Sequence, residues 1–256
     1  MQHLHELATL FDPTTVALIV EPGEPGGWIA ELASQLAEAK VQRRRVALGE
    51  PLDDDAAQQG CDLALIAVDA SRELDAMRAA ATLRARCAVV LSQYATSQRA
   101  SELAAIARDS RIRLLGPATM GFARPARLLN AGRMGALPPA GNVALVSQSG
   151  VLSAAVLDWA GESTIGFSLV ASLGAEADVD VAQVLDFLAS DMATRAVVVY
   201  LEAVRDSRSF MSALRALATV KPVVVLKGGR DAVARPGART HSGALVGGDA
   251  VYTAAL

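Results

Sequence analysis

Short β-branched runs alternate with Ala- and Leu-rich helical stretches along the whole chain, and this rhythm narrows its fold more than any other feature. In the first half, residues 16–20, 46–48, 63–68, 88–91 and 112–115 read as strands, with helices expected over 28–40, 73–84 and 97–109. Strands that are apolar almost throughout must be covered on both faces, which calls for a largely parallel sheet flanked by helices. Between residues 116 and 141 the rhythm lapses into Pro, Gly and Arg, with Pro117, Pro125, Pro138 and Pro139 inside the window. A domain boundary is expected there. The alternation then restarts with strands at 143–146, 167–171, 196–201 and 223–226 and helices at 150–160, 181–189 and 209–218; a last helix is expected near Gly248. The expectation is an α/β protein with two doubly wound parallel-sheet domains, 1–125 and 142–256, joined by a linker at 126–141.

Composition agrees with that class. Of 256 residues 52% are hydrophobic but only 4% aromatic, so the cores must be built from Ala, Val and Leu, which suits close packing of helix on sheet. A net charge of -3 without a sustained basic run argues against nucleic acid as a partner. The densest basic cluster, Arg43-Arg44-Arg45, reads as a solvated helix end ahead of the second strand. Cys61 and Cys87 each enter an apolar run and are expected as buried thiols in a reducing compartment. Every long apolar stretch is broken by a polar residue before it could span a bilayer, and no signal segment is evident, so a cytoplasmic protein without a membrane partner is expected.

The polar residues of the second half fall where strands end. In parallel sheets ligands collect at the carboxyl ends of strands, where helix N-termini expose unpaired N–H groups. The strand at 143–146 runs into Ser147-Gln148-Ser149-Gly150 and then into a helix, a turn fit to receive phosphate, and Ser149 is equally fit to cap that helix. Glu202 ends the strand at 196–201, where a carboxylate can accept a histidine ring N–H, fix its tautomer and leave the other nitrogen nucleophilic. Such a histidine stands in Thr240-His241-Ser242-Gly243-Ala244, the only one beyond residue 5. Taken alone, a histidine in a polar loop is more often solvated than catalytic. A phosphate cradle, a carboxylate and a histidine in a Gly/Ser loop are together the parts of a phosphohistidine relay.

These residues carry a family resemblance. Residues 142–256 resemble the succinyl-CoA ligase-like domain of NDP-forming acyl-CoA synthetases, through Ser-Gln-Ser-Gly at 147–150, Asp158-Trp159-Ala160, Ile165-Gly166-Phe167-Ser168 and Ser172-Leu173-Gly174. The similarity continues in Ala177-Asp178-Val179-Asp180, Tyr200-Leu201-Glu202, Lys221-Pro222-Val223, Leu226-Lys227-Gly228-Gly229-Arg230 and Thr240-His241-Ser242-Gly243-Ala244-Leu245. The resemblance implies a flavodoxin-like domain in which His241 is phosphorylated, Glu202 orients it, and Ser147, Gln148, Ser149 and Gly150, with Ser242 and Gly243, receive the phosphate. The implied reaction runs from a nucleotide to His241, then to a carboxylate as acyl phosphate, which CoA thiolate attacks.

The first half resembles the family's Rossmann-like CoA-binding domain through Phe11-Asp12-Pro13 with Val16-Ala17-Leu18-Ile19, Asp62-Leu63-Ala64, and Leu114-Leu115-Gly116-Pro117 with Gly121. Its ligand loops depart from the pattern. Val20-Glu21-Pro22 replaces Gly-Ala-Ser, the glycines come late as Gly23, Gly26 and Gly27, the Asn-Pro after the second strand is absent, and Ala118 stands in place of Asn. The CoA contacts implied are Gly23, Gly26, Gly27, Gly116 and Pro117. No ATP-grasp signature occurs, so the resemblance implies ATP or ADP with Mg bound by an ATP-grasp subunit or domain outside these residues. It also implies a homodimer. Similar domains fused to GNAT-type protein acetyltransferases give a second expectation, a regulatory domain sensing CoA or acyl-CoA.

Overall fold

The computed structural model describes residues 5–51, 59–163 and 165–228. After a single helical turn α1 (Ala8–Phe11), five parallel strands form the first sheet: β1 (Thr15–Val20), β2 (Gln42–Ala47), β3 (Cys61–Ala67), β4 (Ala85–Val90) and β5 (Arg113–Leu115), in the order β2-β1-β3-β4-β5. Helices α2 (Gly27–Glu38), α3 (Glu73–Thr82) and α4 (Ser97–Asp109) cover it, and β1, β3 and β4 are buried almost throughout. Cys61 and Cys87 are buried free thiols, and burial pushes the Cys87 thiol up to about 12. The strand expected at 46–48 begins earlier, at Gln42, so Arg43-Arg44-Arg45 lies in a strand and not at a helix end. β2 is an edge strand, where charged side chains are the usual device against unwanted pairing. Arg44 there donates to the Gly60 carbonyl at 2.6 Å.

The second sheet comprises β6 (Gly121–Arg124), β7 (Leu129–Gly132), β8 (Ala140–Ser147), β9 (Phe167–Ser172), β10 (Ala196–Leu201) and β11 (Val223–Lys227), in the order β11-β10-β8-β9-β6-β7. β8 to β11 are parallel, covered by α5 (Gly150–Gly161), α6 (Val181–Ser190) and α7 (Ser207–Ala218). β6 and β7 form a hairpin that adds antiparallel to β9. The hairpin lies inside the window read from sequence as the end of the first domain and a linker. Its strands of 4 residues are too short to show a period, and the turn between them holds Pro125 and a left-handed Leu128 (φ 54°). The helix expected near Gly248 falls outside the described residues.

The sheets share one apolar core. Phe11 of α1 packs edge-on against Phe122 of β6 at 5.2 Å between ring centroids and, tilted by 38°, against Phe187 of α6 at 5.1 Å, so residues from both halves meet around one aromatic cluster. Residues 174–179, which connect β9 to α6, add a second bond between the halves. Ala175, Ala177 and Val179 donate their amides to the carbonyls of Pro117, Gly116 and Leu114 at 2.7, 3.2 and 3.0 Å. Asp178 accepts from the Leu114 amide and the Arg113 guanidinium at 2.8 and 3.0 Å. Gly174 begins this segment with φ +64°, and a Cβ there would collide with the Pro117 carbonyl and the Ala118 backbone. Gly174→Ala is therefore expected to destabilise the chain by roughly 1–3 kcal/mol, read as a lower urea midpoint with an unchanged slope.

Among the described residues no helix is long and apolar enough to cross a membrane.

Candidate functional site

The second sheet winds outward in both directions from β8, with β9 on one side and β10 on the other. The crevice outside the carboxyl ends of β8 and β10 is the ligand position that such a reversal creates. Ser147 ends β8 opposite Tyr200 of β10, so the 147–150 turn and the loop that begins at Glu202 are neighbours. Sequence reasoning placed Ser147, Gln148, Ser149, Gly150 and Glu202 at this edge, and all of them stand there. His241, Ser242 and Gly243 lie outside the described residues.

The turn is closed by its own side chains. Ser147 Oγ donates to the Ser149 carbonyl at 2.8 Å and accepts from the Ser149 amide at 3.0 Å. Ser149 caps α5 by accepting the Leu152 amide at 3.3 Å, and its carbonyl accepts from the Ser153 amide at 3.1 Å and from Ser153 Oγ at 3.0 Å. Gly150 and Val151 remain at the helix mouth, where first-turn amides and the helix dipole favour an anion.

Gln148 joins this turn to the next loop. Its Nε2 donates to Glu176 Oε1 at 2.5 Å and to the Ala203 carbonyl at 2.7 Å. Its Oε1 accepts the amides of Glu202 and Ala203 at 2.6 and 3.0 Å, and its own amide donates to the Tyr200 carbonyl at 3.2 Å. The amide group of the side chain thus uses its full hydrogen-bonding capacity on protein partners. Gln148 enters the site as its brace.

Sequence reasoning missed Glu176 and Lys227 as site residues. Glu176 is 8% exposed, and burial pushes its carboxyl up to about 7 against the hydrogen bonds from Gln148 and the Val181 amide. Nothing in a polar Gly174-Ala175-Glu176 loop marks that residue as buried. Lys227 ends β11 and donates to the carbonyls of Glu202 and Gly228 at 3.2 and 2.9 Å, which ties a cation to the Glu202 loop. Its signal was legible, a lysine closing an apolar strand at the ligand edge. Tyr200 lies beside it, its phenol pKa raised by burial and then by the charge of Glu202.

At the first sheet the expected CoA contacts divide. Gly23 lies in the loop after β1, Gly26 caps α2 and Gly27 begins it, and at each an added Cβ would meet nothing within 4 Å. Gly116 and Pro117 follow β5 at the same edge, three strands away in the order β1-β3-β4-β5, roughly 14 Å. Their carbonyls are engaged by residues 175 and 177. Glu21 stands at the end of β1, accepting from the Asp69 amide and the Arg72 guanidinium, both at 3.4 Å. Among the described residues no cluster of His, Cys, Asp and Glu could hold a metal ion.

Residues 140–256 match the family described as succinyl-CoA ligase like flavodoxin domain. The alpha subunit of acetate–CoA ligase (ADP-forming) I from Pyrococcus furiosus is 40% identical over 157 residues, which is 60% of this chain and 34% of that subunit. The acetate–CoA ligase (ADP-forming) of Methanocaldococcus jannaschii is 36% identical over 165 residues, 64% of this chain and 23% of that enzyme. The chain thus matches about a third of the first relative and about a quarter of the second. Among solved structures, the dinucleotide forming acetyl-coenzyme A synthetase 1 of Ca. Korarchaeum cryptofilum, in complex with phosphate and ADP, superposes with a TM-score of 0.87 at 26% identity, over 97% of this chain and 57% of that one. By these similarities residues 140–256 belong to the succinyl-CoA ligase like flavodoxin domain family, and the chain resembles ADP-forming acetate–CoA ligases in sequence and an acetyl-coenzyme A synthetase in fold.

Proposed function

We propose that this chain is the CoA-binding and phosphohistidine module of an NDP-forming acyl-CoA synthetase, with His241 as the residue that carries phosphate. The observation that bears most weight is the Gln148 brace, which sets an anion-ready helix mouth beside the Glu202 loop on adjacent strands. In the synthetic direction a nucleoside triphosphate bound by an ATP-grasp module gives its terminal phosphoryl group to a ring nitrogen of His241. Glu202 accepts the other ring N–H and stabilises the cation that forms. The phosphoryl group then passes to a carboxylate substrate. CoA thiolate attacks the resulting acyl phosphate, forming the thioester and releasing inorganic phosphate.

The chain's own groups meet the moving charge. The amides of Gly150 and Val151 and the dipole of α5 face the phosphoryl oxygens, Ser147 and Ser149 shape the turn, and Ser242 and Gly243 adjoin the histidine. Lys227, bound to the Glu202 carbonyl, adds a positive charge at the same edge. In the first domain the Glu21 carboxylate engages Arg72 and the Asp69 amide, donors that a pyrophosphate would otherwise use. CoA is accordingly assigned to Gly23 and the Gly26–Gly27 start of α2 and not to the end of β1 itself. No observation favours the acetyltransferase-linked sensor.

The test is to incubate the full-length protein and its nucleotide module with γ-labelled nucleotide, or with acyl-CoA and labelled phosphate, and to map the label by peptide mass spectrometry. An acid-labile, base-stable phosphate on His241 is expected. A folded, assembled protein that takes no label at His241 overturns the reading.

A further inference from the structure

We propose that Glu176 is a positioning residue of the phosphoryl site, its buried carboxylate holding the Gln148 amide in the orientation that ties the 147–150 turn to the loop carrying Glu202. Its catalytic meaning rests on the relay reading above; its structural meaning does not.

A glutamine amide presents a donor at one end and an acceptor at the other, and a half-turn about its last bond exchanges them. In the observed orientation the donor end meets Glu176 Oε1 and the Ala203 carbonyl, while the acceptor end meets the amides of Glu202 and Ala203. An ionised carboxylate only accepts, so Glu176 admits the NH2 group and excludes the flipped form, through a charge-assisted bond that is stronger than a neutral one. The carboxylate is itself fixed. Its Oε2 accepts the Val181 amide at 3.3 Å, at the first turn of α6. Arg205 clamps the main chain by donating to the carbonyls of Ala175 and Glu176 at 2.7 and 3.1 Å. Glu176 pays for this placement with a left-handed backbone, φ +48°, which a residue with a side chain seldom adopts.

The clasp is also sensitive to protons. Burial raises the Glu176 carboxyl to about 7; the Gln148 and Val181 hydrogen bonds and the Arg205 charge oppose the shift, and Asp180 adds to it. Well above that value the carboxylate is ionised and one amide orientation is enforced. Below it a proton occupies one acceptor position, and the flipped amide competes. The relay therefore gains an acid limb that belongs neither to His241 nor to Glu202.

Two measurements test this. In the parent protein the NMR signals of the Glu202 and Ala203 amides, both donors to Gln148 Oε1, are expected to shift in one step with a midpoint of about 7, and in Glu176→Gln the step is expected to vanish. In the full-length enzyme with its nucleotide module, Glu176→Gln is expected to phosphorylate His241 about tenfold more slowly than the parent on the alkaline side, with an unchanged KM for nucleotide and without the parent's limb at about 7. Glu176→Asp, which keeps the charge, is expected to restore the limb. Parent amides that do not titrate, or a step that persists in Glu176→Gln, overturn the proposal. The amide titration reads the clasp whether or not His241 takes phosphate, so failure of the relay reading is a separate result.

Discussion

Arg124→Ala is expected to lower the unfolding free energy by about 3–5 kcal/mol, seen as a large drop in the urea midpoint. Arg124 lies in β6, and its guanidinium and the Asp191 carboxylate are each 9% exposed. Two nitrogens meet two oxygens, Nη1 to Oδ2 at 2.9 Å and Nη2 to Oδ1 at 3.3 Å, while Nη1 also donates to the Ser168 carbonyl at 3.2 Å. Burial alone would raise the Asp191 carboxyl, but the bonds from Arg124 and Thr194 bring it below the ordinary carboxylate value. Removing the guanidinium leaves a buried carboxylate held only by the neutral donors Thr194 Oγ1 and the Ala193 amide, at 2.7 and 3.4 Å, and most of its desolvation is then uncompensated. Lys221 donates to the Leu188 and Asp191 carbonyls and feels the Asp191 charge, but it makes no hydrogen bond to the carboxylate that could take the place of the two from Arg124. The control is Arg124→Met with Asp191→Leu, which removes both charges and is expected to recover most of the loss. A single variant as stable as the parent would mean that water already reaches this pair.

The same residue shows where sequence reading stops. The buried parallel strands were legible because apolar β-branched runs have few other ways to be buried: the strand expected at 196–201 is β10, Ala196–Leu201. Arg124 was illegible because an arginine between Ala123 and Pro125 reads as loop, and only the antiparallel addition of β6 to β9 places it against Asp191, 67 residues away. The arginines of β2 misled for the converse reason, since edge strands tolerate charge and lose the apolar pattern by which strands are recognised. At the site, the 147–150 turn and Glu202 were readable as polar residues ending apolar strands. Glu176 was not, because its burial depends on a loop folding back across Gln148. Patterns local in sequence were recovered, whereas pairings that need two distant segments to meet were not.

Gln148→Leu is expected to cut the rate of His241 phosphorylation at least ~100-fold while the KM for nucleotide stays near the parent's, because misplacing the receiving groups by about 1 Å costs that much without touching the nucleotide. Leucine fills the space but orphans the Glu202 and Ala203 amides, the Ala203 carbonyl and Glu176 Oε1 together. Buried groups left without partners seek others, so the Glu202 loop should withdraw from the 147–150 turn. Gln148→Glu separates loss of the brace from mere change of shape. A carboxylate there still accepts the Glu202 and Ala203 amides but faces the Glu176 carboxylate and the Ala203 carbonyl with no donor of its own. Where both carboxylates are ionised they oppose each other, and the variant should be as slow as Gln148→Leu down to a midpoint that their repulsion sets above the parent's Glu176 value of about 7. Below it a proton shared between them restores one donor, so phosphorylation by Gln148→Glu should rise as the pH falls, opposite in sign to the parent's acid limb. A Gln148→Glu profile that follows the parent's would show that the turn and the Glu202 loop hold their places without the brace.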